Sequence, residues 1–445
     1  MNKICYLKVS ITIFFVMLMS FMKGAPVDTN TVKTVAAAFW AALPDIPEQT
    51  RNTVPQISHT ESYSVTDNIN GKLTKSVKPC FYVVNFGDDG FVLVSADDRT
   101  MPVLGFSTEG KFSVEEIQDN MSHFFLSYKE ELEYVVENDV QASPENSSLW
   151  DKFRIPLRDN YLYRANVIVP PLIKTTWNQS PIYNNMCPYI SSKSCRVYTG
   201  CVATAMAQII RYWEWPAKGT GSHSYYAVLS DDNSTQIGTL TADFGNTTYL
   251  YDLMPTSINN SSNQYFKNAV AQLSYQCGVS VDMQYGCNGS GAYPEDIPYA
   301  MRTYFDYKCD GIYYLQSPIT LAKWQQLLKN DLDAGRPIVY GGNSNSGGHA
   351  FICDGYRDDN YFHFNWGWGG ANNGYYTIST TGTGADDIEY WKYQDAILGL
   401  EPNRKECGTS CSLTIELSNS AGQKGWNGAY ITVFQGNKAI KAVTL

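Results

Sequence analysis

Apolar and polar residues alternate on either side of residues 87–90, where CFYVVNF and FVLVSA flank the turn Gly87-Asp88-Asp89-Gly90. Period-two alternation around such a turn predicts a β-hairpin. The period then lengthens. In SVEEIQDNMSHFFLSYKEELEYVVEN, Ile117, Met121, Phe124, Tyr128, Leu132 and Val135 recur at helical spacing, and Ser113 with Glu116 has the form of a capping box. This stripe reads as a helix packed on the hairpin. Residues from about 28 to 140 therefore form a small α+β unit with no visible chemistry.

Residues 141–171 shift to Pro, Ser, Asn and Arg, in ASPENSS and RIPLRDNYLYRANVIVPP, and read as a connecting segment with exposed basic sites. A Gly- and Tyr-rich region then runs to about residue 402. Helical patterns follow Cys201 and recur near 263–277, 295–305 and 320–334, with Gly335 as a helix stop. Strand patterns take over in RPIVYGG, HAFICDGYR, YFHFNW and GYYTIS, separated by Gly, Asp and Asn turns. Helices first and an antiparallel sheet second predict an α+β domain with two lobes. From Asn403, SLTIEL and AYITVF alternate like strands of a β-sandwich, joined by SNSAGQKGWNG, with a further turn at Gln435-Gly436-Asn437. Two strands alone are marginal. Either they pack on the larger domain or the natural chain continues, and the start of a truncated β-sandwich is the expectation.

At 445 residues the chain exceeds one ordinary domain. A net charge of -10 argues against nucleic acid or an anionic membrane surface as its main partner. The opening MNKICYLKVSITIFFVMLMSFMKGAP sets Lys3 and Lys8 before an apolar stretch over 11–21, with Gly24 and Ala25 after it. That is the layout of a secretory signal peptide over residues 1–25, with an apolar core too short for a membrane span. The expected location is extracellular, at the cell surface or periplasmic, with no span left after signal removal. Exported thiols tend to pair. Removing Cys5 leaves ten of the eleven cysteines. Spacing suggests local pairs Cys187–Cys195, Cys277–Cys287 and Cys407–Cys411, although connectivity stays open. No pair has C-x-x-C spacing and the chain has only five histidines, so neither a metal nor another cofactor is expected.

Cys201 stands apart from the other thiols. It follows Thr199-Gly200 and precedes VATAMAQIIRYW, at the start of a helix whose free N–H groups and dipole favour a thiolate. The alternative is an inert buried thiol on an alanine-rich helix. The histidines weigh on this choice. His223 reads as a loop residue in GTGSHSYY, and His363 fits as an ordinary strand residue in YFHFNW. His349 differs, because it follows a double glycine and opens the apolar strand HAFICDG. Cysteine first, histidine far downstream and an asparagine after it is the papain-like order. Asn365, one hairpin beyond His349 in FNWGWGG, supplies that amide. In this reading Cys201 attacks a carbonyl and His349 serves as base and then acid. Asn365 orients the ring, and Trp366 covers the Asn–His bond. Aromatic core packing is the alternative for Trp366 and Trp368. The N–H of Cys201 is one oxyanion donor, and Gln179 in TTWNQSPIYN is the candidate for the second.

TGCVATAMAQ, GGHAFICDGY and FHFNWGWGG, with WNQSPIYN and VSVDMQYG, resemble the streptopain family of secreted papain-fold cysteine peptidases over residues 172–402. FYVVNFGDDGFVLVSADDR and PVLGFS are similar to the inhibitory propeptide of that family. The resemblance implies a papain-like two-lobed peptidase made as a zymogen, whose first domain covers the active site and disturbs the catalytic histidine. It implies Cys201 as nucleophile, His349 as base, Gln179 as oxyanion donor, and Asn365 with Trp366 as support. Gly348, the loop around Ser290 and Trp368 are candidates for substrate contact. It further implies protein or peptide substrates with a bulky apolar residue just before the residue whose carbonyl is attacked. The domains expected are a signal peptide over 1–25, a propeptide over 26–165, a peptidase over 166–402 and a β-rich accessory segment over 403–445. Two rival classes share parts of this pattern. The same Cys–His pair serves amide transfer or non-peptide amide hydrolysis, and a vestigial fold with an adhesive tail would be a non-catalytic binding protein.

Overall fold

The computed structural model describes residues 24–44, 46, 48–69, 72–114, 119–155, 165–314, 319–344, 347–382, 394–404, 430–435 and 438–444. The signal-peptide reading, the capping residue Glu116, SLTIEL and the pair Cys407–Cys411 lie outside them.

Asp28 starts helix α1 (Thr29–Ala42), its carboxylate accepting from Asn30 N at 2.9 Å and Thr31 N at 3.1 Å. Val32, Val35, Ala36, Phe39 and Trp40 line its buried face. Strands β1 (Gln56–Ile69), β2 (Lys72–Asn85), β3 (Phe91–Ser95) and β4 (Val103–Ser107) follow as an antiparallel meander, and β2 and β3 bound the turn expected at 87–90. Helix α2 (Asp119–Glu137) buries Phe124, Phe125, Tyr128 and Leu132, as its stripe predicts. Helix α3 (Pro144–Phe153) corrects the reading of 141–171 as a plain connection. Ser143 Oγ accepts from Asn146 N at 3.0 Å, Pro144 suits the first turn, and Trp150 and Phe153 pack on α1. So short an apolar face gives little periodic signal.

The larger unit opens with β5 (Val167–Val169), β6 (Tyr189–Ile190), β7 (Cys195–Arg196) and helix α4 (Cys201–Trp213). The hairpin β8 (His223–Val228) and β9 (Gln236–Ala242) follows, and takes in His223, which the sequence left in a loop. Helices α5 (Gln264–Ser280) and α6 (Ile297–Tyr304), strands β10 (Tyr307–Lys308) and β11 (Gly311–Tyr314), and helix α7 (Leu321–Asp333) come next. Gly335, at φ 70°, ends α7 as expected. The strand-rich half comprises β12 (Ile338–Ser344), β13 (Gly347–Arg357), β14 (Phe362–Asn365), β15 (Gly374–Tyr376), β16 (Gln394–Leu398) and β17 (Glu401–Pro402). In the tail β18 (Tyr430–Gln435) pairs antiparallel with β19 (Lys438–Thr444), and the turn expected at Gln435-Gly436-Asn437 lies mostly outside the described residues.

One eleven-stranded sheet runs through both units in the order β1-β2-β3-β4-β15-β14-β13-β12-β16-β11, with β5 added beside β13. The joint is the antiparallel pair β4–β15, Phe106 opposite Tyr375 and Gly105 opposite Tyr376. One apolar core joins Phe81, Phe91, Phe124 and Tyr128 of the first unit to Phe351, Phe364, Trp366 and Tyr376 of the second. A separate core around α4, α5 and α6 fills the helical lobe. The two lobes and their order match the expected α+β architecture.

Candidate active site

Gly200 fixes where α4 begins. Its φ of 88° lies in the left-handed region, and a Cβ there would stand 2.5 Å from Met283 Sδ and 3.0 Å from Ser290 O. Thr204 N returns to Gly200 O at 3.0 Å, which sets Cys201 as the first residue of the helix. The N–H groups of Ala350, Val202 and Cys201 face its sulfur and favour the thiolate. Burial outweighs them and pushes the thiol above its usual pKa. The sequence expectation of a lowered pKa thus fails in this covered state, because desolvation exceeds the help from the helix start.

β13 carries His349, opposite Gly342 of β12 and one residue before Ala350, whose N–H faces the Cys201 sulfur. The ring is 2 % exposed. Its Nε2 donates to the Trp366 carbonyl oxygen at 2.9 Å, and its Nδ1 has no hydrogen-bond partner. A carbonyl only accepts, so the neutral ring carries its proton on Nε2 and leaves a lone pair on Nδ1. Burial holds the imidazole down at about 4; the bond to Trp366 opposes this and the nearby His123 of α2 adds to it. Trp368 stacks on the same ring, with centroids 5.8 Å apart and planes at 14°.

The expected Asn365–His349 bond is not formed. Strand register puts Asn365 opposite Ile352, short of His349. Asn365 Nδ2 donates instead to Thr175 O at 2.8 Å. The Trp366 carbonyl, not the Asn365 amide, orients the imidazole. Nor does the Trp366 indole cover an Asn–His bond. It lies in the aromatic core, 4.4 Å from Phe351 and 5.5 Å from Phe124 between centroids, and donates from Nε1 to Asn372 O at 2.9 Å.

Gln179 is 2 % exposed, and its Nε2 has no partner. Its main-chain carbonyl accepts from Thr199 N at 3.2 Å, which ties the Gln179 backbone to the segment two residues before Cys201. Gly348 is exposed beside His349. The Ser290 hydroxyl is engaged locally, donating to Tyr198 O at 2.8 Å and accepting from Gly286 N at 3.0 Å. That loop is tied to the chain entering Cys201 by the disulfide Cys195–Cys287, which corrects the local pairs Cys187–Cys195 and Cys277–Cys287. Cys187, Cys201 and Cys277 are free and buried. The fold sets the disulfide partners 92 residues apart in sequence, beyond the reach of spacing arguments.

Sequence reasoning missed Gln208, whose Oε1 accepts from Thr175 Oγ1 at 2.9 Å and Trp177 N at 3.2 Å. Its place two turns beyond Cys201 on one face of α4 is the signal that could have found it. The first unit closes over this region. Phe124 of α2 packs at Gly342, Phe351 and Trp366, and His123 Nε2 approaches Gly347.

The Peptidase C10 family model matches residues 177–376, and a Spi protease inhibitor model matches residues 24–132. Streptopain from Streptococcus pyogenes is 30 % identical over 356 residues, covering 75 % of this chain and 83 % of its own. The thiol protease/hemagglutinin PrtT of Porphyromonas gingivalis is 34 % identical over 349 residues. That match covers 75 % of this chain but 38 % of PrtT, so the chain spans well under half of that relative. A solved fragment of Prevotella intermedia prointerpain A aligns at a TM-score of 0.57 and 30 % identity, over 77 % of this chain and 98 % of the fragment. The chain therefore belongs to the Peptidase C10 family, and is a cysteine endopeptidase that carries its own inhibitory propeptide domain.

Proposed function

We propose that the chain is the secreted zymogen of an endopeptidase in which Cys201, His349 and Gln179 carry the reaction. The Cys201 proton passes to His349 Nδ1, and the thiolate attacks the substrate carbonyl carbon. The Cys201 and Gln179 N–H groups receive the developing oxyanion. The C–N bond breaks as His349 returns its proton to the leaving amine, and water then hydrolyses the acyl-enzyme with the same base. The observation that carries this reading is a helix-start thiol faced by the N–H of Ala350, the residue after His349, together with two buried polar atoms that lack partners, His349 Nδ1 and Gln179 Nε2. Those are the lone pair and the donor that the reaction uses, and both stay unused under the propeptide.

Latency follows from the same picture. A raised thiol pKa and a depressed imidazole pKa both favour the neutral pair over the reactive thiolate–imidazolium. Removing the propeptide hydrates the site and lets the ion pair form. The propeptide is assigned to 26–165 and the peptidase to 166–402, and a bulky apolar residue is preferred just before the attacked residue, as the streptopain resemblance implies. The test is Cys201→Ala in the full chain. Loss of both peptide cleavage and self-processing is expected, and activity comparable to the parent overturns the assignment.

A further inference from the structure

The segment leading into Gln179 is held by groups that the reaction does not use. Leu172 N donates to the Asp354 carbonyl oxygen at 3.0 Å, and Ile173 N to the Asp354 carboxylate at 2.8 Å. Asp354 is fully buried, and its other carboxylate oxygen meets His363 Nδ1 at 2.6 Å. His363 and Asn365 alternate along β14, so their side chains rise from one face of the strand. Asn365 Nδ2 holds the Thr175 carbonyl at 2.8 Å. Alternate residues of β14 thus hold alternate residues of the strap, 173 and 175. Gln208 adds a third anchor at Thr175 and Trp177. The strap also lies so close that a Cβ on Gly355 would stand 2.7 Å from Val169 O. Gln179 is the second residue after Trp177.

We propose that His363 and Asp354 are positioning residues: through the strap they set the place of the Gln179 amide. This role rests on the assignment of Gln179 as an oxyanion donor. Without His363, the buried Asp354 carboxylate lacks its imidazole partner and must draw in water or move, which loosens its hold on Ile173. An oxyanion donor works over a narrow range of distance, so a small shift of the strap reaches kcat before it reaches substrate binding.

The test uses the full chain after self-processing, with rates normalised to Cys201 sites titrated by a thiol-directed peptide inhibitor. His363→Phe keeps a planar aromatic ring without the donor; kcat should fall about tenfold while KM stays within about twofold. His363→Asn, which offers Nδ2 near the place of ring Nδ1, should recover most of kcat. In a Gln179→Ala background the same His363→Phe change should cost less than about twofold, because the donor it positions is gone. Unchanged kcat in His363→Phe, or an equal loss in both backgrounds, overturns the inference. Parental kcat in Gln179→Ala alone overturns the oxyanion assignment itself and the inference with it, so the two failures are distinguished. If His363→Phe does not fold, His363→Asn against His363→Ser gives the same comparison.

Discussion

Glu131 stands on α2 of the propeptide and reaches into the peptidase. It is 3 % exposed, and its carboxylate accepts from Thr380 N at 2.6 Å, Thr381 Oγ1 at 2.7 Å, Ser379 Oγ at 2.8 Å and Thr381 N at 3.2 Å. Each hydrogen bond to a charged acceptor contributes about 1.5–3 kcal/mol, though four sharing one carboxylate do not add. Removing one side of a buried charged network costs about 3–5 kcal/mol. Glu131→Ala should therefore weaken closure of the propeptide by about 3 kcal/mol, or about 10²-fold in the opening equilibrium. Amide hydrogen exchange of the Cys201→Ala chain, which lacks the proposed nucleophile, reads this directly. The reporters are Thr377 N, bonded to Leu104 O at 2.9 Å, and Met101 N, bonded to Thr380 O at 2.6 Å, neither of which donates to Glu131. Both should exchange about 10²-fold faster in Glu131→Ala, with α5 unaffected. Acceleration confined to Thr380 and Thr381 would refute the reasoning, because Glu131 would then clasp its own loop without holding the domains together.

Three further outcomes follow from the same structure. Burial keeps His349 neutral down to about 4, against 6.5 for an ordinary histidine, so between those values the unfolded chain binds a proton that the closed form does not. Acidification across that window should destabilise the Cys201→Ala zymogen by at most about 1.4 kcal/mol per pH unit. The Tm gap to a Cys201→Ala/His349→Asn chain should shift accordingly, and a gap independent of pH contradicts it. The mature form should begin between residues 154 and 166, because Asn166 is bonded to Asp358 through both N and Nδ2 at 2.9 Å and β5 pairs with β13. N-terminal sequencing checks this, and a start within β1–β4 is incompatible with it. Peptide mapping without reduction should recover Cys195 linked to Cys287 and Cys277 as a free thiol; a Cys277–Cys287 peptide contradicts the fold around the Ser290 loop.

Apolar periodicity makes α4 and α7 readable from sequence, because each buries a regular face, and short apolar runs bounded by turn residues mark β13 and β14. It left α3 unread, since that helix buries little beyond Trp150 and Phe153 and announces itself mainly through its Ser143 cap. At the site, residue chemistry singled out Cys201 and His349, whereas contacts that depend on register stayed hidden. Asn365 lies one hairpin after His349, yet pairing with Ile352 turns its amide to Thr175, and the carbonyl of the next residue reaches the ring. No side-chain pattern marks a backbone carbonyl as a partner. His363 read as an ordinary strand residue because its partner Asp354 sits across a strand pair with a bulge. Spacing suggests local cysteine pairs, with connectivity open, and does not reach Cys195–Cys287 for a related reason: its halves meet only when β7 and the Ser290 loop pack together.

The central claim is that one thiol is the nucleophile and that the propeptide keeps it silent. Titration with a thiol-directed, peptide-based inhibitor tests both halves, with the modified peptide located by mass spectrometry. The processed enzyme should take up one equivalent at Cys201 with simultaneous loss of activity, and the intact zymogen should label far more slowly. No stoichiometric labelling after propeptide removal, or labelling of the zymogen at the same rate as the processed enzyme, contradicts the account.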